Sequence, residues 1–169
     1  MTVQLRHLDA RYPPFSPTLQ IAAGIDMACF DITGKALDTP VHTFLGGQVR
    51  DAIDICYPLF QVKAEAEYER NLGYVEELLD QGISRFRAHV GVDFKKDEAL
   101  LAALRDRLGD RVMLKALDFR ARHCWKDTLR ASDRLKQFGF EVNDSPSWRE
   151  DLAGMAELRR RVEADISEH

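Results

Sequence analysis

The sequence predicts an α/β fold that forms part of a (β/α) barrel, and two observations predict it. From about residue 53 onward, strand-like and helix-like segments alternate four times and end in a fifth strand. The repeat is roughly 25 to 30 residues, the size of a βα unit, which is typical of a parallel sheet, either doubly wound or closed into a barrel. The first strand is followed by Phe60-Gln61-Val62-Lys63 rather than a glycine-rich phosphate loop, which favours the barrel.

The predicted strands are short apolar segments, and glycines close most of the predicted helices. The strands are predicted at Ile53–Leu59, Arg85–Val90, Val112–Leu117, Phe140–Asn143 and Asp165–Ser167. The helices between them are predicted at Ala64–Gln81, Asp97–Leu108, Trp125–Phe138 and Arg149–Val162, and the first three end at Gly82, Gly109 and Gly139.

A separate helical segment occupies about residues 1–50 and precedes the barrel part, residues 51–169. A helix is predicted at Leu19–Leu37, and its small and apolar residues lie on most faces, so we expect it to be buried. A second, short helix is predicted at Pro40–Leu45, where Gly46 and Gly47 end it.

The composition excludes several classes of protein. The formal charge of −4 argues against a nucleic-acid or anionic-membrane partner, which would favour a basic surface. No apolar run approaches 18 residues, so we expect no membrane span. The three widely spaced cysteines suggest no disulfide framework and fit a reducing cytoplasm, and Cys29 and Cys56 are interpreted as small core residues.

Carboxylates stand at the ends of three successive predicted strands. Asp118, Asp144 and Glu168 occupy the same point of the repeat, and the active site of a (β/α) barrel lies at the carboxyl ends of its strands. Oxygen ligands of this kind suit a hard cation such as Mg²⁺, which would also relieve the repulsion between crowded carboxylates. The alternative for each acid alone is a helix N-cap or an ordinary loop charge.

The second predicted strand carries two further candidates, Arg87 and His89. Because side chains alternate along a strand, both point to the same face. A histidine facing the metal site could act as a general base, and an arginine could bind a carboxylate bidentately. The structural alternative for His89 is a polar residue in a layer of the barrel interior.

The segment from Ala23 to Arg50 reads AGIDMACFDITGKALDTPVHTFLGGQVR. It resembles the cap-to-barrel segment of the mandelate racemase and muconate lactonizing branch of the enolase superfamily, and the resemblance continues to the last residue. It implies a two-domain enzyme with an α+β cap and a modified (β/α) barrel. Such enzymes bind Mg²⁺ and abstract the proton α to a carboxylate, giving a metal-stabilised enediolate.

Carried over by position, the resemblance makes Asp118, Asp144 and Glu168 the three metal ligands and makes Arg87 and His89 the counterparts of the family's Lys-x-Lys pair. Here His89 would be the base and Arg87 would hold the carboxylate of a small substrate, most often an acid sugar undergoing dehydration. Arg87, His89 and Asp144 depart from the lysines and the glutamate that are usual in the family.

The resemblance places the chain between the end of the cap and the fifth barrel strand, so it corresponds to about half of a typical member. Half a barrel leaves a sheet edge open, which predicts a self-associating protein in the form of a homo-oligomer. Two alternatives to dehydration therefore stay open. One is a racemase, epimerase or cycloisomerase of the same family; the other is a truncated, non-catalytic remnant that associates with itself or binds metal.

Overall fold

A computed structural model describes residues 17–60 and 66–168 of the chain. The chain divides into two compact units, Met1–Ile53 and Asp54–His169, and each is described by itself. Across the described residues, none of the helices combines the length and the apolar character that a bilayer crossing requires.

The first unit contains helix α1, Pro17–Ala36, and a 3-10 helix, Val41–Leu45. The two are joined by a tight turn in which the N–H of Thr39 donates to the carbonyl of Gly34 at 2.9 Å. A Cβ on Gly34 would lie 2.7 Å from the carbonyl oxygen of Thr39, so the close approach requires glycine there.

The prediction that α1 is buried is wrong. Ile21, Ile25, Met27 and Ile32 are between 55% and 72% exposed, and Cys29 is exposed as well. In the described part of this unit, α1 has only one short 3-10 helix to pack against, which leaves its apolar side chains uncovered. An apolar pattern on most faces of a helix therefore does not by itself ensure burial.

The second unit alternates strands and helices throughout its described length. The strands are β1 Cys56–Leu59, β2 Arg85–His89, β3 Met113–Asp118, β4 Val142–Asp144 and β5 Asp165–Ser167. The helices are α2 Ala66–Asp80, α3 Phe94–Leu108, α4 Trp125–Leu135 and α5 Leu152–Arg159.

The order of the strands decides between the two sheet types that the sequence left open. All neighbouring strands are parallel, and the order in the sheet is β1-β2-β3-β4-β5, the same as in the chain. A doubly wound sheet reverses direction at a switch point, whereas a barrel adds each strand beside the last. The described part of the unit is thus an α/β fold with the winding of a partial (β/α) barrel, as predicted.

The hydrophobic core joins one face of the sheet to the helices. Phe86 and Ala88 of β2 and Leu117 of β3 contribute side chains that are at most 2% exposed. Val75 of α2 and Leu135 of α4 belong to the same buried cluster. Because strand residues alternate in direction, this burial leaves the residues between them, including Arg87 and His89, on the opposite face of the sheet.

Two helices start at other residues than predicted, and a side chain caps each of these starts. α3 begins at Phe94, three residues before the predicted start, because the Asp93 carboxylate accepts the N–H groups of Lys95 and Lys96. α5 begins only at Leu152, after Asp151, whose side chain accepts the N–H of Gly154 at 2.8 Å. A side-chain cap overrides the hydrophobic pattern in fixing where a helix starts.

Cys56 was interpreted from the sequence as a core residue, and this is wrong because the residue is exposed. It is the first residue of β1, an edge strand of the described sheet, where only one neighbouring strand lies beside it. Its apolar sequence neighbours gave no indication that the strand lies at an edge.

We expect Phe86→Ala to lower the free energy of unfolding by about 3–5 kcal/mol, because the side chain is fully buried and its loss leaves a cavity between sheet and helices. Chemical denaturation followed by circular dichroism measures this change. Val92→Ala serves as the control: Val92 is 67% exposed, and its truncation should change stability by less than about 0.5 kcal/mol. Equal effects of the two substitutions would contradict the assigned core.

Candidate active site

The sheet register places a row of polar side chains at the carboxyl ends of the strands. His89 pairs with Asp118, Asp118 with Asp144, and Asp144 with Ser167. Paired residues of neighbouring strands point to the same face of a sheet. The four side chains therefore share the face that the core does not occupy.

A register shift between β2 and β3 makes this alignment possible. Phe86 pairs with Leu114, but Arg87 pairs with Ala116, so Lys115 is the extra residue of the irregularity. Without the shift, His89 would stand beside Leu117, and Asp118 would point to the opposite face, because a slip of one residue reverses the direction of every side chain. The irregularity is thus the local feature that brings Asp118 to His89.

Arg87 lies on the same face, two residues before His89, and its guanidinium reaches both aspartates. Its Nη1 donates to Asp144 Oδ2 at 3.1 Å, and its Nε lies 3.7 Å from Asp118 Oδ2. Both aspartates are buried, at 4% and 5% exposure, whereas the Arg87 side chain is 33% exposed. One guanidinium therefore serves as a shared counter-charge for two buried carboxylates.

The Oδ1 atom of each aspartate accepts a hydrogen bond from a nearby group of the protein. The backbone N–H of Arg120 donates to Asp118 Oδ1 at 2.8 Å, and the Ser167 hydroxyl donates to Asp144 Oδ1 at 2.6 Å. Arg120 has a φ of +61°, in the left-handed region, and lies in the turn that follows β3. Each Oδ1 is thus fixed by the protein, and each Oδ2 faces Arg87.

His89 stands at the end of this pair. Its Nε2 lies 3.4 Å from Asp118 Oδ2, and among the described residues this buried nitrogen has no hydrogen-bond partner. The ring packs edge-on against Phe60, with the ring centroids 5.3 Å apart. Burial lowers the pKa of His89, the charge of Asp118 raises it in part, and the charge of Arg87 lowers it further.

Glu168 is not gathered with the other two predicted ligands. It follows Ser167, the residue that pairs with Asp144 in the sheet, and its Oε1 lies 3.0 Å from Arg149 Nε. Within residues 17–60 and 66–168, no three side chains of His, Cys, Asp or Glu are grouped closely enough to hold a metal ion. The assignment of Asp118, Asp144 and Glu168 as a metal triad therefore stays a prediction.

The donor chemistry can still be tested against a divalent cation. Asp118 and Asp144 are buried carboxylates, the ligands that Mg²⁺ prefers, and each presents its Oδ2 to a positive group. Two of the three predicted ligands thus already surround a cation, the guanidinium of Arg87. These two residues fit a metal in ligand type and in burial.

The loop after β2 is held by contacts that the sequence did not reveal. Gly91 has a φ of +106°, and a Cβ there would lie 2.3 Å from His123 Nε2, so only glycine fits against the imidazole. The Gly91 N–H donates to Asp97 Oδ2 at 2.7 Å. Asp97 is only 6% exposed, and burial raises its pKa from 3.8 to about 6. This buried acid anchors the loop that leaves the strand of His89.

Sequence reasoning found Arg87, His89, Asp118 and Asp144, which the structure brings together. It missed Ser167 and Phe60, which hold Asp144 and pack on His89. The signal for Ser167 was its place at the end of a predicted strand, but a serine there becomes informative only when the register with Asp144 is known.

A profile of the family described as enolase C-terminal domain-like matches residues 72–168. The chain belongs to this family. The resemblance to the mandelate racemase and muconate lactonizing branch is confirmed by individual relatives. N-succinyl-L-Arg/Lys racemase of Bacillus cereus is 28% identical over 147 residues, which are 85% of this chain and 38% of that protein. Chloromuconate cycloisomerase of Cupriavidus pinatubonensis is 28% identical over 83% of this chain and 37% of that protein.

The likeness extends to solved structures. Muconate lactonizing enzyme from Pseudomonas putida superposes with a TM-score of 0.72 at 25% identity, covering 86% of this chain and 39% of that one. The chain thus spans about two fifths of the length of the relatives it matches.

Two dehydratases match over shorter parts of the chain. Cis-3-hydroxy-L-proline dehydratase of Roseibium aggregatum is 33% identical over 56% of the chain and 24% of that protein. A probable glucarate dehydratase of Streptomyces coelicolor is 50% identical over 42 residues, which are 25% of the chain and 10% of that protein. The relatives that match most of the chain are racemases, epimerases and cycloisomerases, so the comparisons favour that alternative over acid-sugar dehydration.

The raised pKa of Asp97 predicts a pH-dependent stability. Between pH 3.8 and about 6 the folded state holds a proton that the unfolded state has lost, so the free energy of unfolding falls as the pH rises through this window. We expect a decrease on the order of 2 kcal/mol, constant above the window.

The Asp97→Asn variant should lose this slope, because the amide oxygen still accepts the Gly91 N–H but no longer ionises. Urea denaturation at a series of pH values measures the effect. Asp106→Asn, on the same helix and exposed, is the control and should keep the slope. A slope that is unchanged in Asp97→Asn would contradict the buried acid as its source.

Proposed function

We propose that this chain contributes the metal-binding and base-carrying part of an enzyme that removes the proton α to the carboxylate of a small substrate, in a racemase, epimerase or cycloisomerase reaction. The observation that carries the proposal is the polar row at the strand ends. There a half-buried histidine, an arginine and two buried carboxylates share one face and one edge of a parallel sheet. This edge is where (β/α) barrels carry out their chemistry.

His89 is proposed as the base. Its Nε2 lies 3.4 Å from Asp118 Oδ2 and makes no hydrogen bond within the described residues, so the imidazole is not committed to a protein partner at that atom. The edge-on contact with Phe60 restricts the ring, which keeps Nε2 in one orientation. A base that is held in place contributes more to proton transfer than a mobile one, because less conformational entropy is lost when it is positioned for the reaction.

Asp118, Asp144 and Glu168 are proposed to hold Mg²⁺. When bound, this ion would stabilise the negative charge that develops on the substrate carboxylate as the α-proton leaves. Burial of Asp118 and Asp144 supports the proposal, since two carboxylates removed from water require a positive partner. Glu168 would have to leave its contact with Arg149 to take part.

Arg87 is proposed to bind the substrate carboxylate. Its side chain lies on the face of the sheet that the core does not occupy and is one third exposed, so a small anion has access to it. Guanidinium and carboxylate match as a bidentate pair, which fixes the substrate's orientation as well as its position.

A second candidate reaction is dehydration of a hydroxylated acid, the reaction that the sequence favoured. The stretch that matches the probable glucarate dehydratase at 50% identity is the specific observation in its favour. It is placed second because that match covers only a quarter of the chain, whereas the racemase and cycloisomerase matches cover more than four fifths. Cytoplasmic location and homo-oligomeric assembly stay predictions of the sequence.

The base is tested by exchange of the substrate α-proton with deuterated water, followed by NMR. The panel would hold N-acyl amino acids, dipeptides, muconolactone-type lactones and acid sugars. We expect exchange in at least one class and a loss of about 10²-fold or more in His89→Asn. His42→Asn changes an exposed histidine of the first unit and should leave the rate unchanged. Undiminished exchange in His89→Asn would remove His89 from the role of base.

The metal site is tested by calorimetry with Mg²⁺. Asp118→Asn should weaken binding by about tenfold or more, since it removes one charged oxygen ligand, whereas Asp133→Asn alters an exposed carboxylate on α4 and should have no effect. Equal affinities in these two variants would contradict the assignment of Asp118. Metal binding without exchange in any substrate class would favour the non-catalytic, metal-binding alternative.

A further inference from the structure

The two carboxylate oxygens of Asp118, like those of Asp144, have different partners, and this difference bears on cation binding. The Oδ1 atoms of both residues accept hydrogen bonds from the protein, from the Arg120 N–H and the Ser167 hydroxyl. The Oδ2 atoms both face Arg87, at 3.7 Å from Nε and 3.1 Å from Nη1. The guanidinium therefore lies against one oxygen of each aspartate, and His89 Nε2 lies 3.4 Å from the Asp118 Oδ2 as well.

Electrostatics makes this contact more than a surface ion pair. The aspartate side chains are 5% and 7% exposed, so water screens their charges poorly, and each must be compensated by the protein or by a bound cation. Arg87 carries one positive charge against two negative ones. Arg87 thus stabilises the pair, and a divalent cation would bring one more positive charge to it than the guanidinium does.

We infer that Arg87 is a resident cation of the Asp118–Asp144 pair and competes with a divalent metal ion for their Oδ2 atoms. The inference rests on the metal site proposed above and concerns how that site is regulated. A guanidinium and a metal ion at the same oxygens repel each other and divide the available lone pairs, so each weakens the binding of the other. Metal binding is therefore strongest when the guanidinium has left both carboxylates.

The position of Arg87 allows this exchange. Its side chain is one third exposed on the open face of the sheet, so it can turn toward solvent without disturbing the core on the other face. Once displaced, its guanidinium is free to bind a carboxylate. One residue thus has two successive roles: it compensates the two aspartates in the absence of metal, and it becomes available to an anionic substrate when the metal binds.

The test is the Mg²⁺ affinity of Arg87→Met, measured by calorimetry and compared with Arg85→Met. Arg85 lies two residues earlier on β2 and pairs with the exposed Asp54, so the control makes the same change of side chain and charge away from the aspartates. We expect Arg87→Met to bind Mg²⁺ about tenfold more tightly than the wild type, and Arg85→Met to match the wild type.

A second readout is the melting temperature in EDTA and in Mg²⁺. In EDTA, Arg87→Met should melt below Arg85→Met, because its two buried carboxylates have lost their counter-charge. Mg²⁺ should remove this difference. Arg87→Lys keeps a positive charge at the site, so its Mg²⁺ affinity should lie within about threefold of that of the wild type. This variant separates the effect of losing the charge from the effect of losing the arginine side chain. Asp118→Asn in the Arg87→Met background should abolish the gain.

The outcomes separate this inference from the proposed function. Equal Mg²⁺ affinities in Arg87→Met and Arg85→Met would overturn the competition while leaving the metal site standing. Absence of Mg²⁺ binding even in Arg87→Met would overturn both. Tighter binding in Arg87→Met together with no proton exchange in any substrate class would support the competition and count against the proposed reaction.

Discussion

Two buried carboxylates that share one guanidinium are the interaction on which the rest of this site depends. Asp118 and Asp144 stand side by side in register, almost without contact to water. Such a pair is costly unless positive charge compensates it, and the cost is what makes the site receptive to cations. The positions of His89, Arg87 and Ser167 are all best understood by what each contributes to this pair.

The pair exists because of how the sheet is built. Parallel strands in sequential order bring each carboxyl end to the same edge, so residues far apart in sequence become neighbours there. Sequential order alone is not sufficient, because the side chains must also point to one face. The irregularity at Lys115 supplies that condition between β2 and β3 by changing the register after Phe86. A backbone feature one residue long thus determines which chemistry the strand ends can perform.

The sequence predicted the fold and much of the site, for reasons that are local. Strand and helix alternation is visible in a short window, and the limits of β5 were predicted as the structure has them. Arg87 and His89 were placed on one face by alternation alone. What the sequence could not predict depends on distances between strands. The contact of Arg87 with two aspartates, the hydroxyl of Ser167 on Asp144 and the register shift at Lys115 all arise from the pairing of segments remote in the chain.

The departures from the family pattern that were noted in the sequence are connected by this geometry. Two lysines on β2 would place two positive charges near the aspartates. Arg87 and His89 place one positive charge there near neutral pH, because the pKa of His89 is lowered. Arginine in place of lysine presents several donors, which lets a single side chain approach both Oδ2 atoms. Aspartate at position 144 is shorter than the usual glutamate, and the Ser167 hydroxyl secures its second oxygen. The combined effect is a pair of buried carboxylates held by a single guanidinium, a site whose donor chemistry suits a divalent cation.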